Sequence, residues 1–259
     1  MLRLFVLSFQ NHFSAFTSQP GVFVAAVIGM LINNILFLTG LWTILFREKP
    51  ENQGLLLPTL CLTTIGFLSW GLVNVFLGGL GHIGEAIDNG TLEPMMGTPR
   101  STLFLQSLSA SSMTSLADII QGCFGLIAIG ALSDLNTVLR TTLAATVAVF
   151  GFSSIFIFSG TFSFFTLRGQ ALGTFFVELG LTSVCYPLFK ITENPWRWFL
   201  YFTPIALVGT LPVEWVLVPS FEMSLKLILA SALAFWASLR FFAFGLKRYR
   251  SSSLTQLRS

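Results

Sequence analysis

Apolar stretches long enough to cross a bilayer, and almost free of charge, recur along this chain from Gly21 to Leu246. A membrane helix needs roughly 20 such residues, because the hydrocarbon core is about 30 Å thick and each helical residue advances about 1.5 Å. Six spans are predicted, at 21–46, 55–80, 103–132, 138–165, 171–189 and 223–246. Only 10% of the 259 residues are charged, where a soluble domain carries about 25%, so the chain reads as an all-α polytopic membrane protein. Residues 1–259 read as a single transmembrane domain with no room for a soluble catalytic one.

Two segments outside the six spans are apolar without being spans. At 2–18, Leu4, Phe5, Phe9, Phe13 and Phe16 recur at helical spacing, but Gln10, Asn11 and His12 interrupt them. An amphipathic helix lying in the membrane interface fits that pattern. At 190–222, Pro195, Pro204, Pro212 and Pro219 cut the chain into short pieces, and Trp196, Trp198, Tyr201 and Trp215 are the amphipathic aromatics of a headgroup layer. Short re-entrant helices on the external side are expected there, with their broken backbone buried against protein.

Basic residues set the orientation. With six spans, Arg3, Arg100, Arg168, Arg240, Lys247, Arg248, Arg250 and Arg258 share one side, while Arg47, Lys49, Arg140, Lys190, Arg197 and Lys226 fall on the other. The KRYR run at 247–250, directly after the last span, is the firmest marker of the cytoplasmic side. Both termini are therefore expected in the cytoplasm of a cell whose plasma (inner) membrane holds the chain.

Several chemistries are excluded. No GxxxxGK[ST] occurs, so the chain has no P-loop of its own. Gly79, Gly81 and Gly84 spell GxGxxG, but they follow a membrane helix and not a strand. No HExxH or GxSxG is present, and no catalytic residues are assigned. Cys61, Cys123 and Cys185 lie inside apolar stretches without metal spacing, so no metal site and no cofactor are expected on this chain. A net charge of +3, concentrated near span ends, calls for membrane lipids as partners and not for nucleic acid.

The informative segment is 84–100, GEAIDNGTLEPMMGTPR, between the second and third spans. A short helix ending at Asn89-Gly90 is predicted, with Gly90 at positive φ as its cap. Thr91 is expected to cap a second turn holding Leu92, Glu93 and Met96, which Pro99 stops. Glu85, Asp88 and Glu93 offer charge to a soluble partner, and Leu92 and Met96 are expected as exposed apolar anchors. Gly90, Thr91, Leu92 and Glu93, followed by Thr98 and Pro99, resemble the signature of ABC-2 type transporter permeases. The length, the interfacial helix and the broken segment before the last span are similar to that family too. Glu93-Pro94-Met95-Met96-Gly97 departs from it, since an aliphatic run is more usual there.

The resemblance implies a permease subunit that exports an amphipathic, lipid-like or drug-like substrate. It implies that 84–100 is a coupling helix meeting a separate ATP-binding subunit, in two copies, with ATP and Mg on that subunit. It also implies a second permease chain, identical or related. Glu85, Asp88, Gly90, Thr91, Leu92, Glu93, Met96 and Pro99 would form the contact.

Polar groups inside spans complete the reading. Ser107, Ser111 and Ser115 recur every four residues in the third span, as a small-residue packing face would. Asp118 and Glu178 are intramembrane carboxyls, costly unless they face protein or water, and they are candidates for a transport pathway. They also support the alternative of a secondary transporter or channel with proton or ion sites. Such proteins often carry paired broken helices, and only one broken region is visible here. The orientation has a direct check. A cysteine introduced as Ser252→Cys should stay unlabelled by an impermeant maleimide added outside intact cells, and labelling would reverse the assignment.

Overall fold

A chain in hydrocarbon must pair its backbone groups with itself, and every element of the computed structural model is helical among the residues it describes, 2–47, 56–166, 169–185 and 204–256. In chain order these are α1 (Leu2–Thr17), α2 (Pro20–Arg47), α3 (Leu56–Leu77), α4 (Ile83–Asp88), α5 (Glu93–Met96), α6 (Thr102–Ser107), α7 (Leu116–Leu132), α8 (Leu135–Thr161), α9 (Gly169–Cys185), α10 (Thr210–Leu217) and α11 (Phe221–Gln256). Short 3-10 turns extend α3 at Gly78–His82, lead into α7 at Met113–Ser115, follow α8 at Phe162–Phe164 and precede α10 at Pro204–Leu207. Among the described residues, five helical segments are long and apolar enough to cross a membrane: Pro20–Leu38, Leu56–Asp88, Met113–Leu132, Leu135–Phe164 and Phe221–Tyr249. The described part of the expected fifth span is α9, 17 residues long; its continuation to 189 lies outside the described residues.

The centre of the bundle is α3 and α8. Cys61, Ile65 and Val73 of α3 and Ala144, Ala148 and Phe152 of α8 are almost wholly buried. Trp70 of α3 meets Phe152 and Phe156 of α8 edge to face, at 5.4 and 5.5 Å. Against α3 runs α7, and glycines permit the approach. A Cβ on Gly122 would lie 2.5 Å from Leu68 Cγ, and one on Gly125 would lie 2.2 Å from Thr64 Oγ1. Lipid gives helices no hydrophobic reason to associate, so close backbone packing of this kind takes over. Helix α11 covers α8, with Phe150 edge-on to Phe235 at 5.6 Å and Ser238 Oγ donating to the Ser154 carbonyl at 3.1 Å.

Helix α2 stands outermost. Its apolar residues Val22, Ile32 and Leu36 are more than half exposed, as suits a lipid-facing or partner-facing helix. Its buried polar tie inward is Asn34, whose Nδ2 donates to Asp118 Oδ1 of α7 at 2.8 Å.

The third span departs from its expected form. A continuous helix over 103–132 is replaced by α6, a non-helical crossing at 108–112, and α7. Ser107, Ser111 and Ser115 therefore form no helix face. The crossing instead satisfies the end of α3, whose last carbonyls have no partner within their own helix. Ser111 Oγ donates to the Val75 carbonyl at 2.6 Å, and the Ser112 N–H donates to the Asn74 carbonyl at 2.9 Å. Gly79 N–H donates to the Ala110 carbonyl at 3.1 Å, and Gln106 Nε2 donates to the Gly79 carbonyl at 2.9 Å. Helix α1 docks on the same corner. Ser8 Oγ donates to the Leu108 carbonyl at 2.7 Å, His12 Nε2 lies 3.2 Å from that oxygen, and Phe5 and Phe9 stack on Phe76. Val6, Leu7 and Phe13 of α1 remain exposed, with Phe13 stacked on Phe9.

Of the proline-cut segment, 204–222 is described, and Pro195, Trp196, Trp198 and Tyr201 lie outside the described residues. Ile205 to Val213 are buried. Ser183 Oγ donates to the Gly180 carbonyl at 2.7 Å and lies 3.3 Å from the Ile205 carbonyl, and Val208 packs against Gly151. The broken backbone here is held against α8 and α9. Trp215 Nε1 donates to Ser224 Oγ at 2.7 Å and so joins α10 to α11.

The α3 corner predicts its own weak point. A Cβ on Gly79 would lie 1.7 Å from the Gln106 carbonyl oxygen, a backbone atom that cannot swing away. Gly79→Ala should therefore lower thermal stability in detergent by about 1–3 kcal/mol, as overpacking does. Gly81→Ala is the control: its nearest neighbour would be Phe156 Cε2 at 4.0 Å, and its melting curve should match the wild type.

Candidate functional site

The segment after α3 folds into an elbow built from two short helices. One turn of helix has little stability in isolation, so its side chains must be held by the rest of the molecule. In α4, Ile83, Ala86 and Ile87 are buried while Glu85 and Asp88 face outward. The helix rests directly on the end of α8, since a Cβ on Gly160 would lie 2.6 Å from Ile83 Cβ. Outside, His82 Nδ1 and Glu85 Oε2 are 3.0 Å apart, an exposed pair of little energetic weight.

The stop at Asn89-Gly90 has the form expected. Gly90 adopts φ +69°, the one positive-φ residue among those described. Its N–H donates to the Ile87 carbonyl at 3.2 Å, as the residue after a C-cap does, and the chain then turns back. The Ala86 carbonyl accepts from the Leu92 N–H at 3.1 Å and from Thr91 Oγ1 at 3.4 Å. Thr91 thus closes α4 and does not cap α5; the residue at the α5 N-cap is Leu92, without a side-chain cap.

Leu92 overturns one expectation outright. It is wholly buried, packed with Ile83, Ile87, Leu80 and Phe156, and cannot anchor a partner from outside. The turn at Gly90 aims Leu92 inward, which periodicity over so short a segment could not reveal. Met95 packs half-buried against the same cluster, and Met96 is half-buried too. Among the residues the elbow presents outward, beside the basic Arg100, are Glu85, Asp88, Thr91, Glu93 and Pro99, with Gly90 half-buried between them. Three of those are acidic. The Glu93 carboxylate also accepts from Tyr249 Oη at 3.0 Å.

Behind the elbow lies a cleft of about 250 Å³ between α3, α4, α8 and α9, lined in part by Trp70, Asn74, His82, Glu85, Ser159 and Thr174. Sequence reasoning missed it because α8 and α9, far along the chain from α3 and α4, supply the other walls. His82, isolated in the sequence, is one of its polar groups.

The two intramembrane carboxyls have unlike surroundings. Asp118, in the first turn of α7, is buried, with Asn34 Nδ2 on one oxygen and no hydrogen bond on the other. Glu178 is exposed on α9, among the exposed Phe175 and Leu179. It stands one turn beyond Thr174 of the cleft. Among the described residues, no three His, Cys, Asp or Glu side chains gather so as to hold a metal ion.

The family model described as ABC-2 family transporter protein matches residues 28–253. No curated protein and no solved structure matches this chain.

The inward leucine and the left-handed glycine give separable predictions. Leu92→Ala empties a wholly buried site and should destabilise the elbow by about 2–5 kcal/mol. Gly90→Val forces a β-branched residue to positive φ, at a cost of about 1–2 kcal/mol. Limited proteolysis between Gly84 and Arg100 should quicken in both variants and remain slow in Thr98→Ala, whose exposed hydroxyl donates to the Met95 carbonyl of its own turn.

Proposed function

This chain belongs to the ABC-2 family of transporter proteins, and we propose that it is the permease half of an exporter driven by ATP hydrolysed on a separate subunit. The chain is a multi-pass membrane protein and a transport component, and an ATP-binding subunit is the partner such a permease works with. Beyond that, our reading is a dimer of permease chains carrying two ATP-binding subunits, which hold ATP and Mg. We assign six spans, with both termini cytoplasmic and 190–222 external. The substrate class we favour, an amphipathic or lipid-like molecule, follows from the family alone.

One observation carries the coupling role: the elbow is acidic and exposed on its outer face and locked into the bundle core on its inner one. Glu85, Asp88, Thr91, Glu93, Met96 and Pro99 supply the face for the ATP-binding subunit. The acidic groups suit basic groups on that partner. Leu92 and Gly90 act from behind that surface. Gly90 sets the turn, and Leu92 carries displacement into the cluster shared by α3 and α8 without slack. A rigid push is thereby delivered to the two central helices.

For the carboxyls, Asp118 reads as the tie that holds α2 to α7, because Asn34 already engages it. Glu178 is the stronger pathway group, being exposed next to the polar cleft. The secondary-transporter alternative needs both as ion sites and is less well supported by a closed Asp118.

The test is reconstitution with the ATP-binding subunit. The permease alone should hydrolyse no ATP. Glu93→Arg and Asp88→Arg should insert and purify normally, yet lose at least about tenfold of the assembled complex's coupled ATPase, equivalent to roughly 1.4 kcal/mol of contact. Normal coupling in both would remove the elbow from the mechanism. In the same vesicles Glu178→Gln should slow export of a fluorescent lipid analogue with assembly intact, and unchanged export would return Glu178 to a structural role.

A further inference from the structure

We propose that Tyr249 latches the elbow to the last membrane helix, so that the elbow and the cytoplasmic end of α11 move as one body. The proposal rests on the coupling role argued above and assigns a second route for the push. Tyr249 Oη donates to Glu93 Oε1 at 3.0 Å, joining residues 156 positions apart in the chain. A hydrogen bond to an ionised carboxylate is among the stronger kinds.

The ring is held as firmly as the hydroxyl. Tyr249 packs against Phe164 at 5.6 Å between centroids, and Phe164 packs against Phe242 of α11, also at 5.6 Å. Next to it, the Arg248 guanidinium lies 5.5 Å from the centre of the Phe165 ring. Two consecutive side chains of α11 thus grip the corner after α8 from two sides. Phe164 and Phe242 belong to the same buried cluster as Ile83, Ile87 and Leu92. A helical rod reaches from that grip back through the membrane, since α11 is continuous over Phe221–Gln256.

The elbow needs such a hold. Helix α5 is a single turn with no buried residue of its own. Leu92 fixes its start, and Tyr249 fixes the side chain of its first residue, Glu93. One carboxylate oxygen is occupied by the latch, and the group stays exposed towards a partner. Tyr249 is therefore a positioning residue, acting through Glu93.

Spin labels on the assembled, membrane-reconstituted complex test this directly. Labels go on Thr98→Cys and Lys247→Cys, both exposed positions, with Cys61, Cys123 and Cys185 replaced by alanine. A second pair joins Thr98→Cys to Phe124→Cys on α7. Between the nucleotide-free and vanadate-trapped states, the 98–247 distance should hold constant while the 98–124 distance shifts. Tyr249→Phe keeps the ring and removes only the hydroxyl. In that variant the 98–247 distance should broaden and change on trapping, and coupled ATPase should fall about fivefold with the ATP-binding subunit still bound. Tyr249→Phe combined with Glu93→Ala should be no worse than Glu93→Ala alone, whereas Glu93→Gln, which still accepts the bond, should keep the 98–247 distance. A 98–247 distance that changes in the wild type, or a Tyr249→Phe variant that matches the wild type, overturns the latch while leaving the coupling role standing. A 98–124 distance that never shifts in a hydrolysing complex removes the coupling role, and the latch with it.

Discussion

In hydrocarbon an unpaired backbone carbonyl costs several kcal/mol, and the end of α3 leaves its last carbonyls beside a chain that must turn. That demand organises one whole end of the molecule. Ser111 and Ser112 cap the Val75 and Asn74 carbonyls, Gln106 caps Gly79, and Gly79 answers Ala110. A helix through 103–132 would have left these groups unanswered. Breaking it at 108–112 supplies donors where α3 needs them and offers the Leu108 carbonyl to Ser8 and His12 of α1. The interfacial helix, the central helix and the start of the third span are thereby tied at one corner.

The elbow grows from that corner and inherits its rigidity. The 3-10 turn Gly78–His82 leads into α4, which is seated on Gly160 of α8 with no room for a side chain between them. The turn at Gly90 then reverses the chain so that a large apolar residue points inward and the acidic ones outward. In the coupling role we propose, the inner end of this elbow is held by Leu92 in a close-packed cluster and the outer end by the bond from Tyr249 to Glu93. The exposed pair of His82 and Glu85 out there adds little stability of its own.

The same logic separates the two intramembrane carboxyls. Asp118 is enclosed and engaged by Asn34, a buried polar tie between α2 and α7. Glu178 lies on an exposed stretch of α9, one turn beyond Thr174 of the cleft.

The sequence by itself determined the membrane class, most of the apolar helices, the existence of α1 as a helix and the punctuation of the elbow. Those features rest on local physics: apolar length against bilayer thickness, helical spacing, and the positive φ that Gly90 tolerates. The position of the 84–100 segment between two spans was equally legible, and the family resemblance followed from it. Tertiary structure alone decided the rest. Leu92 and Glu93 are neighbours in a motif, yet one is buried and the other exposed, because the turn before them chooses the direction. Ser107, Ser111 and Ser115 kept helical spacing but are split by a break, and Ser111 there meets the Val75 carbonyl 36 positions away while Ser107 bonds within its own helix. The cleft at Asn74, His82 and Thr174, and the bond from Tyr249 to Glu93, join parts of the chain that no local pattern relates. Burial and hydrogen-bond demand are properties of the assembled bundle, and only the packed helices could assign them.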